Sequence, residues 1–202
     1  YQRRVRGEQF SSQLQETAKK PEIAKIALKI ENYTALADLG DEVDLKLLFC
    51  NIQTAAVNVQ NTSVQFTLFN QSLQITVHQS GSVTILGART MVELEKAFQT
   101  LKAILMKLQP SLELKQFSVY QTLISGYFPF HISLEKLQTS LNNSVYNPEI
   151  FPAVFYQNRQ KDNKFSITLS RNGSFVIGGV VGEQAGRKAL ESIWDVVNEC
   201  KE

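Results

Sequence analysis

Phe165 to Cys200 reads FSITLSRNGSFVIGGVVGEQAGRKALESIWDVVNEC, and the chain contains this pattern twice. The earlier copy, Leu73 to Met106, reads LQITVHQSGSVTILGARTMVELEKAFQTLKAILM. In each copy a strand-like run meets a glycine turn. A second run then ends in glycine, and an amphipathic helix follows. Gly81 matches Gly173 and Gly87 matches Gly179, both about 92 residues apart. Self-similarity near half the chain length predicts two tandem copies of one α/β unit, packed as a pseudo-twofold.

The two helical runs are the clearest signals. From Arg89 to Leu108, apolar residues at Met91, Leu94, Phe98, Leu101 and Leu105 recur at intervals of three and four. From Gly182 to Glu199, Ala185, Ala189, Ile193, Trp194 and Val197 do the same. Pro110 marks the join between the halves. In the first half, Ile23 to Leu36 alternates like a strand. Asp41 to Ile52 reads as a helix with an acidic first turn. Ser63 to Phe69, Leu73 to His78 and Ser82 to Leu86 read as strands, with turns at Asn70-Gln71 and Ser80-Gly81. In the second half, Gln116 to Ser125 is a strand and Ile132 to Leu141 a short helix. Phe151 to Tyr156, Phe165 to Leu169 and Ser174 to Ile177 are strands. The loop Gln157 to Lys164 carries Arg159, Lys161 and Lys164. Each half therefore reads β-α-β-β-β-α. Doubling such a unit predicts one long antiparallel sheet, curved by accumulated twist and backed by four helices. The expected class is α+β. The expected divisions are a basic N-terminal extension over 1–22, a first repeat over 23–110 and a second over 111–202.

Composition excludes several functions. Among 202 residues, 43% are hydrophobic and 20% charged, as in an ordinary globular protein. The formal net charge of +2 does not mark the whole molecule as a polyanion binder, so any basic surface must be local. One such cluster, Arg3, Arg4, Arg6, Lys19 and Lys20, lies in the expected extension. No apolar run is long enough to span a bilayer, and no signal-peptide pattern opens the chain. Cys50 and Cys200 stand outside any metal-ligand spacing and read as two reduced thiols. The Asn-x-Ser/Thr triplets at Asn32, Asn61, Asn70, Asn142 and Asn172 read as chance products of an Asn-, Ser- and Thr-rich chain. No nucleotide loop, carboxylate pair or nucleophile triad is anchored to a motif. We therefore expect no enzyme activity, no cofactor and no small-molecule substrate.

Tyr146 to Tyr156, YNPEIFPAVFY, resembles the second-repeat YEPELFPGLIY segment of the TATA-box-binding protein family. Gly173-Ser-Phe-Val-Ile-Gly-Gly179 and Gly81-Ser-Val-Thr-Ile-Leu-Gly87 resemble the SGKVVLTG strands of its two repeats. Glu31-Asn32 and Gln121-Thr122 fall where each family repeat opens with Gln-Asn. Leu39-Gly40 with Val43-Asp44-Leu45-Lys46 is similar to NLG…LDLK. The resemblance covers about Ile26 to Cys200. It is strongest in the second repeat. The departures resemble the TBP-related factor of kinetoplastid parasites.

The resemblance implies a saddle whose concave face binds the DNA minor groove, with the helices on the convex face. In the family two pairs of phenylalanines wedge between base steps. Those positions fall here on Thr62 and His78, then on Phe151 and Ser170, so one aromatic wedge remains. The groove-facing set implied is completed by Asn32, Thr34, Thr84, Leu86, Thr122 and Val176. Gln157 stands where the family has a phosphate-contacting arginine. The hairpin Gln65 to Gln79 has no Lys or Arg. Each lost phosphate contact removes a counterion-release contribution, so sharp bending of a TATA-type site is expected to be weak or absent. Read alone, His78 and His131 are ordinary surface or structural histidines. Glu149, with Asn147 and Ile150 beside it, falls where a TFIIB-like factor is met. Arg159 in the basic loop suits a phosphate or an acidic partner. The outer helix faces, with Lys96, Lys102, Arg187 and Lys188, suit a TFIIA-like partner. The expected function is promoter recognition and initiation-complex assembly in the nucleus. The alternative is a protein-interaction module that binds no DNA.

Overall fold

The structure, a computed structural model, describes residues 21–58, 60, 62–69, 72–113, 117–160 and 164–202. All but Pro21 and Glu22 of the expected extension lie outside the described residues, as do Asn61, Asn70-Gln71, Gln116 and Lys161.

The chain runs α1 (Pro21–Ala24), β1 (Leu28–Asp38), α2 (Leu45–Asn51), β2 (Ala56–Asn58), β3 (Ser63–Leu68), β4 (Leu73–His78), β5 (Ser82–Ala88) and α3 (Met91–Leu108). It continues β6 (Ser118–Tyr127), α4 (Leu134–Ser140), β7 (Ser144–Asn147), β8 (Phe151–Asn158), β9 (Phe165–Ser170), β10 (Ser174–Val180) and α5 (Gly182–Glu199). The strands form a ten-stranded sheet in the order β2-β3-β4-β5-β1-β6-β10-β9-β8-β7. The α+β class is as expected. Each half carries four strands between its helices, because β2 and β7 add to the predicted three. The fifth helix is α1, where a strand was predicted from Ile23. Pro21 fits the first turn of a helix. The strand begins only at Leu28.

Contacts divide the chain into two compact units. One holds Ile30–Ile124 and Gly178–Gly182. The other holds Ser125–Ile177, Glu183–Glu202 and, among the described residues, Pro21–Lys29. In the first unit Ala35, Val64, Phe66, Ile75, Val77, Val83 and Ile85 form the buried sheet face. Leu94, Phe98, Leu101 and Leu105 of α3 cover it. Met91, predicted in that stripe, is exposed, since it sits in the first turn beyond the sheet's reach. The helix starts are fixed locally. Thr90 accepts a bond from the Glu93 N–H at 3.1 Å, and the Glu93 carboxylate accepts the Arg89 N–H at 2.8 Å. This is a capping-box arrangement displaced by one residue. Asp44 caps α2 through the Leu47 N–H at 3.0 Å, so the acids before it precede the helix and do not form its first turn.

In the other unit Phe128 packs on Phe175 (4.8 Å) and Trp194 (5.8 Å between ring centroids). Ile167, Leu169, Ile177, Ile193 and Val197 complete the core. Arg171 makes a bidentate contact with Glu202 at 3.0 Å that ties down the chain end. That hydrogen bond, then the opposite charge, raises the Arg171 pKa above its ordinary value.

Both glycine turns are clipped to the preceding segment. The Leu39 N–H donates to the Gly81 carbonyl (3.0 Å) and the Val43 N–H to that of Gln79 (2.9 Å). The Phe128 N–H donates to Gly173 (2.9 Å) and the Ile132 N–H to Arg171 (2.9 Å). Gly81 and Gly173 have φ of 88° and 87°, and a Cβ on either would lie 2.4 Å from a carbonyl oxygen. Only glycine satisfies both demands.

These clips equate Leu39 with Phe128, hence Ala37 with Gly126, Tyr33 with Thr122 and Asn32 with Gln121. The second repeat is thus one residue out of the register expected from its sequence, and a one-residue slip exchanges the faces of a strand. Thr122 lies on the core side, 1% exposed. Its hydroxyl donates to the Val180 carbonyl and accepts the Gly182 N–H, both at 3.1 Å.

The repeats also trade volume. Ala37 faces Val83 across the first pair of strands, whereas a Cβ on Gly126 would meet the Phe175 ring at 2.3 Å. Gly126→Ala is expected to cost about 1–3 kcal/mol by overpacking, and Phe175→Val about 2–3 kcal/mol by leaving a cavity. The double variant should cost at least about 1 kcal/mol less than the two together. Urea unfolding checks this, and strict additivity would contradict the packing. By the same measurement Thr122→Val should cost about 1–3 kcal/mol by orphaning a buried N–H and a carbonyl. Gln121→Ala should stay within about 0.5 kcal/mol.

Candidate nucleic-acid interface

Each unit turns one sheet face to its helices and leaves the other without a helix. In the first unit the second face is polar. Asn32, Thr34 and Leu36 of β1 alternate with the core-facing Tyr33, Ala35 and Ala37. The register changes between Tyr33 and Thr34, opposite Gly87 at φ 94°. This bulge keeps Thr84 and Leu86 on the same face as Thr34 while Ala88 turns to the core. Thr34 pairs with Leu86, Leu36 and Thr76 both pair with Thr84, and Gln65 pairs with Thr76. Thr34, Thr84 and Leu86 therefore form one patch, in which neighbours bury Thr34. The Gln74 amide donates to Gln65 Oε1 at 3.3 Å beside it. Gln121 falls on this kind of face where Thr122 was expected.

At the end of the β3-β4 hairpin Thr62 and His78 come together. The Gln79 N–H donates to the Thr62 carbonyl (3.0 Å) and Ser63 pairs with His78. Thr62 has φ 47°. The two line an open hollow of about 440 Å³ with Glu42, Gln79 and Ser80. Its lining offers no apolar wedge, and Glu42 adds a negative charge. Ser63 faces His78 as Ala153 faces Ser170. Counting back, the partner of Phe151 in the first repeat is Asn61, outside the described residues, and not Thr62.

In the second unit the corresponding face is more apolar. Val145 pairs with Phe155, and Phe155 with Thr168. Val176 lies on the same side of β10, since Phe175 and Ile177 are buried and it is not. Phe151 opens β8 opposite Asn147 and is 54% exposed, two residues from the Ala153–Ser170 pair. Val145 and Phe155 were not among the residues expected here. The alternation of β8 beyond Phe151 was the signal for Phe155, whereas Val145 lies in the four-residue β7, too short to show a period.

The turn before β8 gathers Asn147, Glu149 and Ile150. The Asn147 side chain accepts the Glu149 N–H (3.2 Å) and its carbonyl accepts the Ile150 N–H (3.1 Å). This turn presents Ile150 at 81% exposure. Arg159 does not join them. It follows the far end of β8, about 25 Å away at the rise of an extended strand. There its Nε donates to Gln157 Oε1 (3.1 Å) beside a polar hollow lined by Asn142, Asn143 and Gln160.

Charge on the sheet is sparse. Among the described residues, one Lys or Arg, Lys29, lies in a strand. Among the described residues no group of three His, Cys, Asp or Glu side chains is placed to hold a metal ion. No helix there is long and apolar enough to cross a membrane.

Comparison with known proteins agrees with this architecture. The chain is 26% identical over 188 residues to the TATA-box-binding protein of Thermococcus celer, covering 89% of this chain and 98% of that one. It is 28% identical over 181 residues to that of Pyrococcus furiosus, covering 85% and 92%. In fold it matches Methanococcus jannaschii TBP with a TM-score of 0.73 at 22% identity, over 85% of this chain and 98% of the other. The family described as "Transcription factor TFIID (or TATA-binding protein, TBP)" matches twice, over residues 27–108 and again over 116–200. With both of its repeats matched, the chain belongs to the TATA-binding protein family of transcription factors.

Proposed function

We propose that this chain is a transcription initiation factor that contacts promoter DNA through the helix-free sheet face, but holds it weakly and does not bend it sharply. The observation that carries this reading is the scarcity of cations and wedges on the sheet. Among the described residues a single Lys or Arg, Lys29, lies in a strand, and the wedge positions other than Phe151 fall on Asn61, His78 and Ser170, none of them apolar. Affinity for nucleic acid comes mostly from cations displacing condensed counterions. Kinking requires apolar side chains that fill an opened base step. Both contributions are reduced here. On the first unit Asn32, Thr34, Thr84, Leu86 and Gln121 meet DNA in this reading, and on the other unit Val176 does, with Phe151 as the remaining wedge. Threonine and asparagine suit the acceptor-rich minor groove, where readout is mostly A·T against G·C.

Partners supply the missing affinity in this reading. The turn holding Asn147, Glu149 and Ile150 meets a TFIIB-like factor, through an exposed apolar tip beside an acid. Arg159, at the other end of β8, serves a separate contact. The outer faces of α3 and α5 serve a TFIIA-like factor. Its place of action is the nucleus. The division into a basic extension and two repeats over 23–110 and 111–202 belongs to the same reading, as does kinship with the kinetoplastid factor. The second reading, a protein-binding module without DNA, draws on the apolar residues Val145, Phe155 and Val176. These suit a protein surface as well as a base step.

A salt titration of binding to an A·T-rich duplex separates the readings. The expected slope of log K against log salt is no steeper than about −3, equivalent to roughly three phosphate contacts. A gel-phasing assay should show little bending. Phe151→Ala should weaken binding by about tenfold. No binding at 20 mM salt would leave the protein-binding module. A steep slope with strong bending would overturn the proposal.

A further inference from the structure

A second concave site lies in the unit that contains α1, away from the sheet faces discussed above. It is a cleft of about 360 Å³, at the lower end of the range of ligand pockets. Its floor is aromatic and its rim is charged. Tyr127, Pro129, Phe130 and Trp194 supply the apolar surface, while Lys25 and Lys201 supply positive charge against the single acid Glu22.

The walls are held in place without an occupant. Ile23 and Ile26 are buried and dock α1. Arg187 donates from Nη1 to the carbonyls of Ile23 (3.1 Å) and Ile26 (3.2 Å). Glu183 holds the same guanidinium at 2.7 Å. The second wall is the loop after β6. There Phe130 stacks on Phe128 at 5.6 Å and meets Trp194 edge-on at 6.2 Å. A Cβ on Gly173 would lie 2.6 Å from the Phe130 carbonyl, so the turn beneath leaves the loop no slack. The third wall is the chain end. The Ser133 N–H donates to the Cys200 carbonyl, and the Glu202 N–H to that of His131, at 2.9 and 3.0 Å. This sets the Lys201 Nζ over the Phe130 ring, 5.2 Å from its centroid. A site whose walls are fixed in advance loses little entropy on binding.

The two lysines decide the ligand class. Among the described residues neither Lys25 nor Lys201 forms an ion pair. Two ammonium groups beside exposed aromatic surface complement a carboxylate next to a flat apolar group. We propose that this cleft binds an acidic peptide segment of a partner protein, seating one aromatic side chain against the exposed Tyr127 and Pro129, at the edge of Phe130, and its carboxylates against Lys25 and Lys201. The proposal does not depend on how the sheet treats DNA.

Trp194 is the chain's single tryptophan, so its emission reads the site directly. The probe is a synthetic twelve-residue peptide with a central Phe-Phe flanked by Asp and Glu, titrated into the full chain. The expected result is a saturable change in Trp194 emission with Kd in the range of roughly 10–100 μM. The affinity should fall about tenfold in Lys25→Glu and in Lys201→Glu, and should fall as salt rises. Both substitutions are on the surface, and unfolding midpoints within a few degrees of the parent protein would establish that they fold. A peptide with Ala-Ala at its centre should fail to bind. Binding by that peptide, or indifference to both charge reversals, overturns the proposal. So does saturation by phenylacetate with no response to the peptide, which would make this a small-molecule site. An emission change with protein concentration alone, which would indicate a second copy in the cleft, overturns it too.

Discussion

The clip between each glycine turn and the segment that leaves the first strand of its repeat decides which side chains any partner meets. The Leu39 N–H reaches the Gly81 carbonyl, and the Phe128 N–H reaches that of Gly173. Both bonds need a turn residue in the left-handed region with no Cβ, because a carbonyl oxygen occupies that space. Once the clip forms, the register of β1 on β5 follows, and with it the face on which Asn32, Thr34 and Leu36 emerge. The second repeat obeys the same clip with different residues. Gln121, not Thr122, therefore reaches the helix-free face. Thr122 instead spends its hydroxyl on the junction that starts α5.

The duplication and the long helices were legible because they rest on repeated, strongly periodic signals. Leu94, Phe98, Leu101 and Leu105 mark one stripe of α3, and the glycine pairs mark the turns. What escaped had a local cause in each case. The run from Ile23 alternates from Ile26 through Leu28 to Ile30, so its strand pattern concealed the single helical turn ahead of it. Strands β2 and β7 have three and four residues, too few to show a period, and they sit at the two ends of the sheet order. The Thr122 error arose from matching a residue pair by type. Letters carry no information about parity, whereas a hydrogen bond between Phe128 and Gly173 does.

The two repeats keep one scaffold with different cores. Alanine against valine in one becomes glycine against phenylalanine in the other, at Ala37 and Val83, then Gly126 and Phe175. Close packing forces such changes to be paired. The extra ring at Phe175 joins Phe128 and Trp194 in an aromatic cluster that the first unit lacks at the equivalent Leu39. That cluster reaches the surface at Phe130 and forms the floor of the cleft beside α1. A change made inside one repeat for packing thus gives that repeat a surface its sibling does not have.

The proposed weak grip on DNA can be weighed by magnitudes. Unstacking one base step costs a few kcal/mol. A buried aromatic wedge returns an amount of the same order, since fully burying such a side chain is worth about 1.5–3 kcal/mol. Two wedges on one step can therefore drive a kink, while Phe151 beside Ser170 roughly balances it. In the first unit the matching positions fall on the polar Asn61 and His78, and Glu42 in the same hollow as His78 opposes phosphate. With a single cation in the strands among the described residues, the proposed function takes little from counterion release on this face. The family scaffold is matched, and the proposed function gives this face a smaller source of binding energy. Function resides in sites carried by a fold and not in the fold itself. In the proposed function, a promoter complex built on this chain draws its stability from the surfaces that other proteins meet.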